Sequence, residues 1–280
     1  MRFKKIYLEI SNLCNLSCSF CHGTKRAPRK MTVDEFSSIL PKLRPYSDFL
    51  YFHVMGEPLC HPELFTFLDI ADSYGFRVII TTNGTLLKQK QEMLLSKNAL
   101  HKINVSLHAF EANDLTMPFE EYLDGCLSFG KSAAEISDKI VVYRLWNAGG
   151  KEDLNESILN TVKSYFRCDD LSFEKRKSVK LSDRVFIERA SRFDWPDITL
   201  EDTRDNVFCY GLRDQIGILC DGTVVPCCLD CEGDIALGNI FEDSMDNILS
   251  TKRVKDIYDG FSQKRAVEEL CRRCGYARRF

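Results

Sequence analysis

Near the start of the chain, NLCNLSCSFCHG (12–23) puts Cys14, Cys18 and Cys21 within eight residues. Thiolates so grouped suit zinc, copper or an iron–sulfur cluster. A structural zinc site closes on four ligands. The nearest fourth candidate, His22, adjoins Cys21, so its side chain is expected to point away from a metal held there. A four-iron cluster can be held by three cysteines, which leaves one iron open to an outside ligand. The missing fourth ligand favours that reading. A larger set stands near the other end: Cys209, Cys220, Cys227, Cys228, Cys231, Cys271 and Cys274. The remaining cysteines of the 13, Cys60, Cys126 and Cys168, are scattered and read as buried core thiols.

Disulfides would need an oxidising compartment. The N-terminal MRFKKIYLEI is basic but lacks the apolar run of a signal peptide. No stretch approaches the roughly 20 apolar residues of a membrane span. A cytoplasmic location without a membrane partner is therefore expected, with metal chemistry at both ends of the chain. The 280 residues are 44% hydrophobic and 28% charged, an ordinary globular composition, and allow one barrel-sized domain with a small appendage. The net charge of −3 disfavours a nucleic-acid partner. Two short basic stretches, GTKRAPRK (23–30) and CRRCGYARRF (271–280), are expected to be solvated surface rather than contacts to RNA or another anion.

The elements that must position these residues alternate. FKKIYLEI (3–10) reads as a strand running into the cysteine loop. DFLYFHVM (48–55), FRVIITTNG (76–84), KINVSLH (102–108) and KIVVYRLWN (139–147) read as further strands, and LSFEK (171–175) as a candidate sixth. Between them, 32–46, 62–75, 86–97, 118–136 and 154–166 read as helices. The first has a capping box, Thr32 with Glu35, and a Pro41 expected to kink or shorten it. Such alternation implies a parallel sheet, either open and doubly wound or a partial barrel. In both, function gathers at the carboxyl ends of strands. There stand the cysteine loop, MGEP (55–58), TTNG (81–84) and SLH (106–108). From about residue 182 the alternation stops. Residues 191–208 read as a linker, 215–228 as a hairpin turning at Asp221-Gly222, and 243–258 as one helix.

Cys14-x3-Cys18-x2-Cys21 after the first strand, Phe20 before the last cysteine and GEP after the second strand together resemble the radical S-adenosylmethionine superfamily, over about residues 3–175. The resemblance implies an α/β fold, a partial (β/α)6 TIM-like barrel, with a [4Fe–4S] cluster on Cys14, Cys18 and Cys21. It implies S-adenosylmethionine on the open iron, cleaved reductively to a 5′-deoxyadenosyl radical, and a reductant such as flavodoxin or ferredoxin. It also implies cofactor contacts: Phe20 near adenine, and Gly56, Glu57 and Pro58 in a GGE-type motif whose backbone meets the methionyl amino group. Met55 stands where that motif commonly has glycine. Ser106 would meet ribose or carboxylate, Thr82 and Asn83 would assist from the next strand end, and Arg144 would pair with the carboxylate. Residue type alone also allows a strand-end hydroxyl at Ser106 and an ordinary ion pair at Arg144. His108 reads equally as a structural histidine or a substrate contact.

Cys209-x12-Gly222-x4-Cys227, with LGNI (237–240) beyond, resembles the opening of SPASM domains, which bind two auxiliary clusters. Too few cysteines follow for both, and the pattern is similar to the shorter Twitch domain with one cluster. That likeness assigns Cys209, Cys227, Cys271 and Cys274 as its ligands. Cys228 is expected to face away from Cys227. A zinc ribbon on Cys228, Cys231, Cys271 and Cys274 has suitable spacing and is the alternative. The expected organisation is a core at 1–190, a linker at 191–208 and an auxiliary-cluster domain at 209–280. The expected activity is hydrogen abstraction from a small-molecule or peptide substrate, with the auxiliary cluster assisting its oxidation or modification. A non-catalytic iron–sulfur electron carrier or scaffold would need the clusters but not GEP, TTNG and Ser106 at strand ends.

Overall fold

Short strands build the sheet of the computed structural model, which describes residues 1–168, 171–173 and 177–279. β1 (Lys5–Leu8), β2 (Phe49–Phe52), β3 (Arg77–Thr82), β4 (Leu100–Ser106) and β5 (Ile140–Ala148) are parallel neighbours in that order. A hairpin follows, β6 (Ser178–Ser182) with β7 (Val185–Ser191), and β7 is the sixth parallel strand, paired with β5. The helices α1 (Val33–Leu43), α2 (Leu64–Ser73), α3 (Leu87–Ser96), α4 (Phe119–Ile136) and α5 (Asn155–Phe166) lie between successive strands in the chain. One strand face meets them. Ile6, Leu8, Leu50, Phe52, Val78, Ile80, Ile103, Val105, Val141 and Tyr143 pack with Phe36, Phe67, Leu94 and Phe129 of the helices in one core. The other face lines the interior of a partial barrel.

The C-terminal chain extends this sheet. β8 (Gln215–Ile218) lies parallel to β1, in register from Lys5↔Gln215 to Leu8↔Ile218. β9 (Thr223–Val225) and β10 (Gly238–Asn239) follow antiparallel, so the ten strands run β10-β9-β8-β1-β2-β3-β4-β5-β7-β6. Three helices complete the fold: α6 (Met245–Ser250), α7 (Lys252–Ser262) and α8 (Glu269–Arg272).

Several expectations are corrected. The sixth parallel strand is β7, in the region where alternation was expected to stop. Residues 171–173 are not in a strand, and the rest of the 171–175 segment lies outside the described residues. The helix expected at 243–258 is two helices, because Thr251 ends α6 and caps α7 by accepting the Val254 N–H. α1 has the expected capping box and runs through Pro41, which falls in its last turn. Cys126 is buried, whereas Cys60 and Cys168 are half-buried. Among the described residues no helix is long and apolar enough to cross a membrane.

The contact of α4 with β5 is close. Tyr143 Oη donates to the Cys126 carbonyl at 2.9 Å, and a Cβ at Gly130 would collide with that oxygen. Gly130→Ala should therefore lower stability by roughly 1–3 kcal/mol. Adding Tyr143→Phe, which removes the colliding atom, should restore part of the loss in thermal unfolding. Losses that simply add would show that the oxygen is not what the methyl meets.

Candidate functional site

The loop from β1 to α1 carries Cys14 and Cys21 exposed and Cys18 half-buried, and all 13 cysteines are free thiols. Side-chain amides approach two of the sulfurs: Asn83 Nδ2 is 3.9 Å from Cys14 Sγ, and Asn113 Nδ2 is 3.1 Å from Cys18 Sγ. The three cysteines line a cavity of about 450 Å³ with Val54, Met55, Gly56 and Trp195. A single tetrahedral ion would hold its sulfurs about 3.8 Å apart. Among the described residues, one group of three possible donors lies within 4.8 Å of one another, and it is His22, Cys231 and Glu232. The cysteine triad is more widely spread, as a multi-iron cluster requires and a single zinc ion does not. His22 points away from the triad, towards Cys231 and over Trp195 at 6.0 Å.

The loops after β2 and β3 are bound to this one. Gly56 has φ +77°, and a Cβ there would strike the carbonyls of Ser11 and Leu13, so glycine is what lets the two loops touch. Glu57 N donates to the Leu13 carbonyl at 2.8 Å. Its buried carboxylate accepts the Asn83 N–H at 2.7 Å and the Leu59 N–H at 2.9 Å. Burial pushes Glu57 up to about 7, against the pull of those two N–H groups and Thr82. The side chain of Glu57 thus ties loops together. Pro58 is buried at the start of a single helical turn. Strand alternation turns Thr82 out of the interior, where its hydroxyl accepts the Gly84 N–H at 3.1 Å, and it is Thr81 that lines the cavity of the barrel. Asn83 bridges to Asn15 Oδ1 at 2.8 Å.

That interior cavity, of about 290 Å³, gathers Phe20, Ser106, His108 and Arg144 from the barrel, Phe193 and Trp195 from the 191–208 segment, and Cys228 and Tyr276 from the C-terminal chain. Phe20 packs on His108 with ring centres 4.7 Å apart, and its carbonyl accepts from Trp195 Nε1 at 3.2 Å. His108 Nδ1 meets the Arg144 carbonyl at 3.0 Å, and burial lowers its pKa to about 4, so the ring is neutral. Ser106, half-buried at the end of β4, is the register partner of Arg144. The Arg144 guanidinium lies 4.2 Å over the Trp146 ring, with Nε 3.9 Å from Glu188.

Cys209, Cys227, Cys271 and Cys274 share a second, apolar cavity with Val207, Ile235, Phe261 and Leu270. Cys228 faces the barrel interior beside Tyr7, while the Cys231 thiol meets the Gly23 carbonyl at 3.8 Å. The structure therefore does not bring Cys228 and Cys231 into the zinc-ribbon grouping with Cys271 and Cys274.

One part of the site has no sequence motif. Glu9, 0% exposed, accepts Arg26 Nη2 at 2.6 and 2.8 Å, the Met55 N–H at 3.2 Å and the Cys220 N–H at 3.0 Å. Arg26 Nε donates to the Cys231 carbonyl at 2.7 Å. Burial opposes the charge on Arg26, but Glu9 outweighs it and holds the guanidinium's pKa above its ordinary value. The basic stretches are thus largely ion-paired within the fold. Arg29 pairs with Glu35 at 2.5 Å, Arg272 with Asp205 at 3.1 Å, Arg273 with Glu269, and Arg278 with Asp202.

Two family models match the chain, the Radical SAM superfamily over residues 8–148 and an iron-sulfur cluster-binding domain, SPASM, over 209–275. The tungsten-containing aldehyde ferredoxin oxidoreductase cofactor-modifying protein of Pyrococcus furiosus is 30% identical over 173 residues, 60% of this chain and 47% of that relative. The sporulation killing factor maturation protein SkfB of Bacillus subtilis is 22% identical over 270 residues, 88% of this chain and 65% of that one. The chain thus spans between about half and two thirds of these relatives' lengths. Among solved structures, BtrN in complex with AdoMet and 2-DOIA has TM-score 0.56 at 18% identity, covering 98% of this chain and 94% of its own. Streptococcus suis SuiB has TM-score 0.65 at 14% identity, covering 98% and 71%. These likenesses bear on the fold, and they support the partial barrel.

The Glu9–Arg26 pair makes a direct prediction. Removing one partner of a buried pair leaves the other charge uncompensated, at a cost of about 3–5 kcal/mol. Arg26→Met should lose about that much in urea unfolding, and Arg26→Lys, which keeps the charge without the fork, should lose less. Wild-type stability in Arg26→Met would mean that the pair holds nothing together.

Proposed function

The chain belongs to the radical SAM superfamily and carries a SPASM-type iron–sulfur domain, and on that premise we propose that it abstracts hydrogen from a small-molecule or peptide substrate held in the barrel cavity. The observation that carries this reading is the junction of two cavities: the cysteine triad lines one, Phe20, Ser106 and Arg144 line the other, and Val54 and Trp195 belong to both. When bound, the [4Fe–4S] cluster and S-adenosylmethionine supply a hydrogen-abstracting carbon radical by reductive cleavage.

The residues have separable tasks in this reading. Cys14, Cys18 and Cys21 hold the cluster, and Asn83 and Asn113 direct amide N–H groups at two of the sulfurs. Gly56 keeps the loop backbone close to the cluster loop, and Glu57 and Pro58 fix its course. Phe20 offers a ring for adenine, Ser106 offers a hydroxyl for ribose or carboxylate, and Arg144 offers the cavity a cation. Phe193 and Trp195 cover the cavity and limit the access of water. Cys209, Cys227, Cys271 and Cys274 hold the second [4Fe–4S] cluster, which assists oxidation or modification of the substrate, and their shared cavity supports that grouping. The core would then run over 1–190, the connecting segment over 191–208 and the auxiliary domain over 209–280, with a flavodoxin- or ferredoxin-like reductant in a reducing compartment. Of the neighbours of this fold, BtrN is in complex with AdoMet and 2-DOIA and SuiB is bound to the precursor peptide SuiA, which supports keeping both substrate classes.

Anaerobic reconstitution should give about eight irons per chain, four for each set of cysteines. Replacing Cys14, Cys18 and Cys21 together by Ala should remove about half of that iron and abolish 5′-deoxyadenosine formation with dithionite. Cys227→Ala should lose a similar share and still form 5′-deoxyadenosine. Zinc in place of iron, or loss of all iron in either variant, would overturn the two-set assignment. Absence of 5′-deoxyadenosine from the fully loaded protein would leave the electron-carrier reading.

Ser106→Ala should keep its iron and bind S-adenosylmethionine more weakly by roughly 1–3 kcal/mol in calorimetry. Unchanged affinity would reduce Ser106 to a strand-end hydroxyl.

A further inference from the structure

The interior face of the barrel holds more positive than negative charge. Strand alternation turns Lys5 and Tyr7 of β1, Lys102, Asn104 and Ser106 of β4, Arg144 of β5 and Glu188 of β7 inward, away from the helix-side core. Lys5, Arg144 and the exposed Arg192 line the cavity. Lys102 is half-buried on the same face, close enough to Arg144, Glu188 and Lys5 for their charges to act on it. Four cations therefore stand against one carboxylate, Glu188, which lies 3.9 Å from Arg144 Nε. Glu9 does not redress the balance, because Arg26 already matches it. The histidines add no charge: burial lowers His53 to about 3 and His108 to about 4.

The interior also leaves polar atoms unsatisfied. His53 Nδ1, Asn104 Oδ1 and Arg144 Nε are buried without a hydrogen-bond partner. Of these, Arg144 Nε is a fixed donor that lines the cavity, and a buried donor is rarely left so. S-adenosylmethionine would bring one carboxylate but also a sulfonium, so it does not supply the missing negative charge.

We propose that the substrate carries a compact acid group, a carboxylate or a phosphate, which seats among Arg144, Lys102 and Lys5 inside the barrel. The guanidinium, 4.2 Å from the Trp146 ring centre, offers a charge-assisted donor, and the two lysines add charge. This inference rests on the reading of the cavity as the substrate site.

The test is calorimetric titration of anaerobically cluster-loaded protein, saturated with S-adenosylmethionine, with glutarate, inorganic phosphate and the tripeptide Gly-Glu-Gly. Saturation removes the cofactor's own carboxylate as the source of the interaction. At least one acid should bind, and neutral glutaramide should not. Lys102→Gln and Arg144→Gln should each weaken binding about tenfold, and Glu188→Gln, which removes the competing carboxylate, should tighten it about threefold. A gain in affinity cannot come from misfolding. Stronger binding of glutarate or phosphate assigns a free small molecule, and stronger binding of the tripeptide assigns an acidic peptide side chain. The inference is overturned if no acid binds, if the three variants leave binding unchanged, or if acids bind only before the cofactor is added. Formation of 5′-deoxyadenosine, followed in the same samples, tests the radical reading separately: it would persist if only this inference failed.

Discussion

A carboxylate with no exposed surface fixes the geometry of this protein. Glu9 sits on the inward face at the end of β1, where an ionised group is tolerated only if every strong acceptor direction is filled. Three segments fill them: Arg26 from the tail of the cysteine loop, the Met55 N–H from the loop after β2, and the Cys220 N–H from the end of β8. Each donor constrains what precedes or follows it. Arg26 brings the cysteine loop back against the barrel. Met55 delivers Gly56 and Glu57. Cys220 holds the strand whose hairpin leads to Cys227. The two sets of cysteines are thereby referred to one group on one strand.

The same logic continues outward. Glu57 does for the loops after β2 and β3 what Glu9 does for the barrel and the C-terminal hairpin: a buried carboxylate collects backbone N–H groups from separate loops. The parallel pairing of β8 with β1 makes the auxiliary region an extension of the barrel sheet, so the wall of the interior cavity includes Cys228 and Tyr276. The charged interior is the exception to this economy. Its cations outnumber its carboxylates, and that is the kind of local imbalance expected where a ligand completes the structure.

Much of this is legible in the chain because it is local. Period-two and period-3.6 patterns mark the strands and helices, Asp221-Gly222 marks a hairpin, and alternation alone predicts that Cys227 and Cys228 face opposite ways. What is not legible is long-range or depends on one residue of register. The partners of Glu9 lie 17, 46 and 211 positions away, and no local pattern announces them. Arg26 and Arg29 look like a solvated basic run because a sequence does not display the carboxylates they meet. Thr81 and Thr82 are chemically alike, and a single step of strand register decides which one faces the cavity. β7 is missed because it follows a hairpin instead of a helix, and so breaks the rhythm by which its neighbours are recognised.

The central claim is that one carboxylate couples the cysteine loop, the loop after β2 and the C-terminal hairpin. Amide hydrogen exchange at Met55 and Cys220 in wild type and in Glu9→Met tests it most directly, because both N–H groups donate to Glu9 from distant parts of the chain. The account predicts that both amides are strongly protected in wild type and that both lose protection together when the carboxylate is removed. Protection retained at either amide in a folded Glu9→Met protein would contradict it.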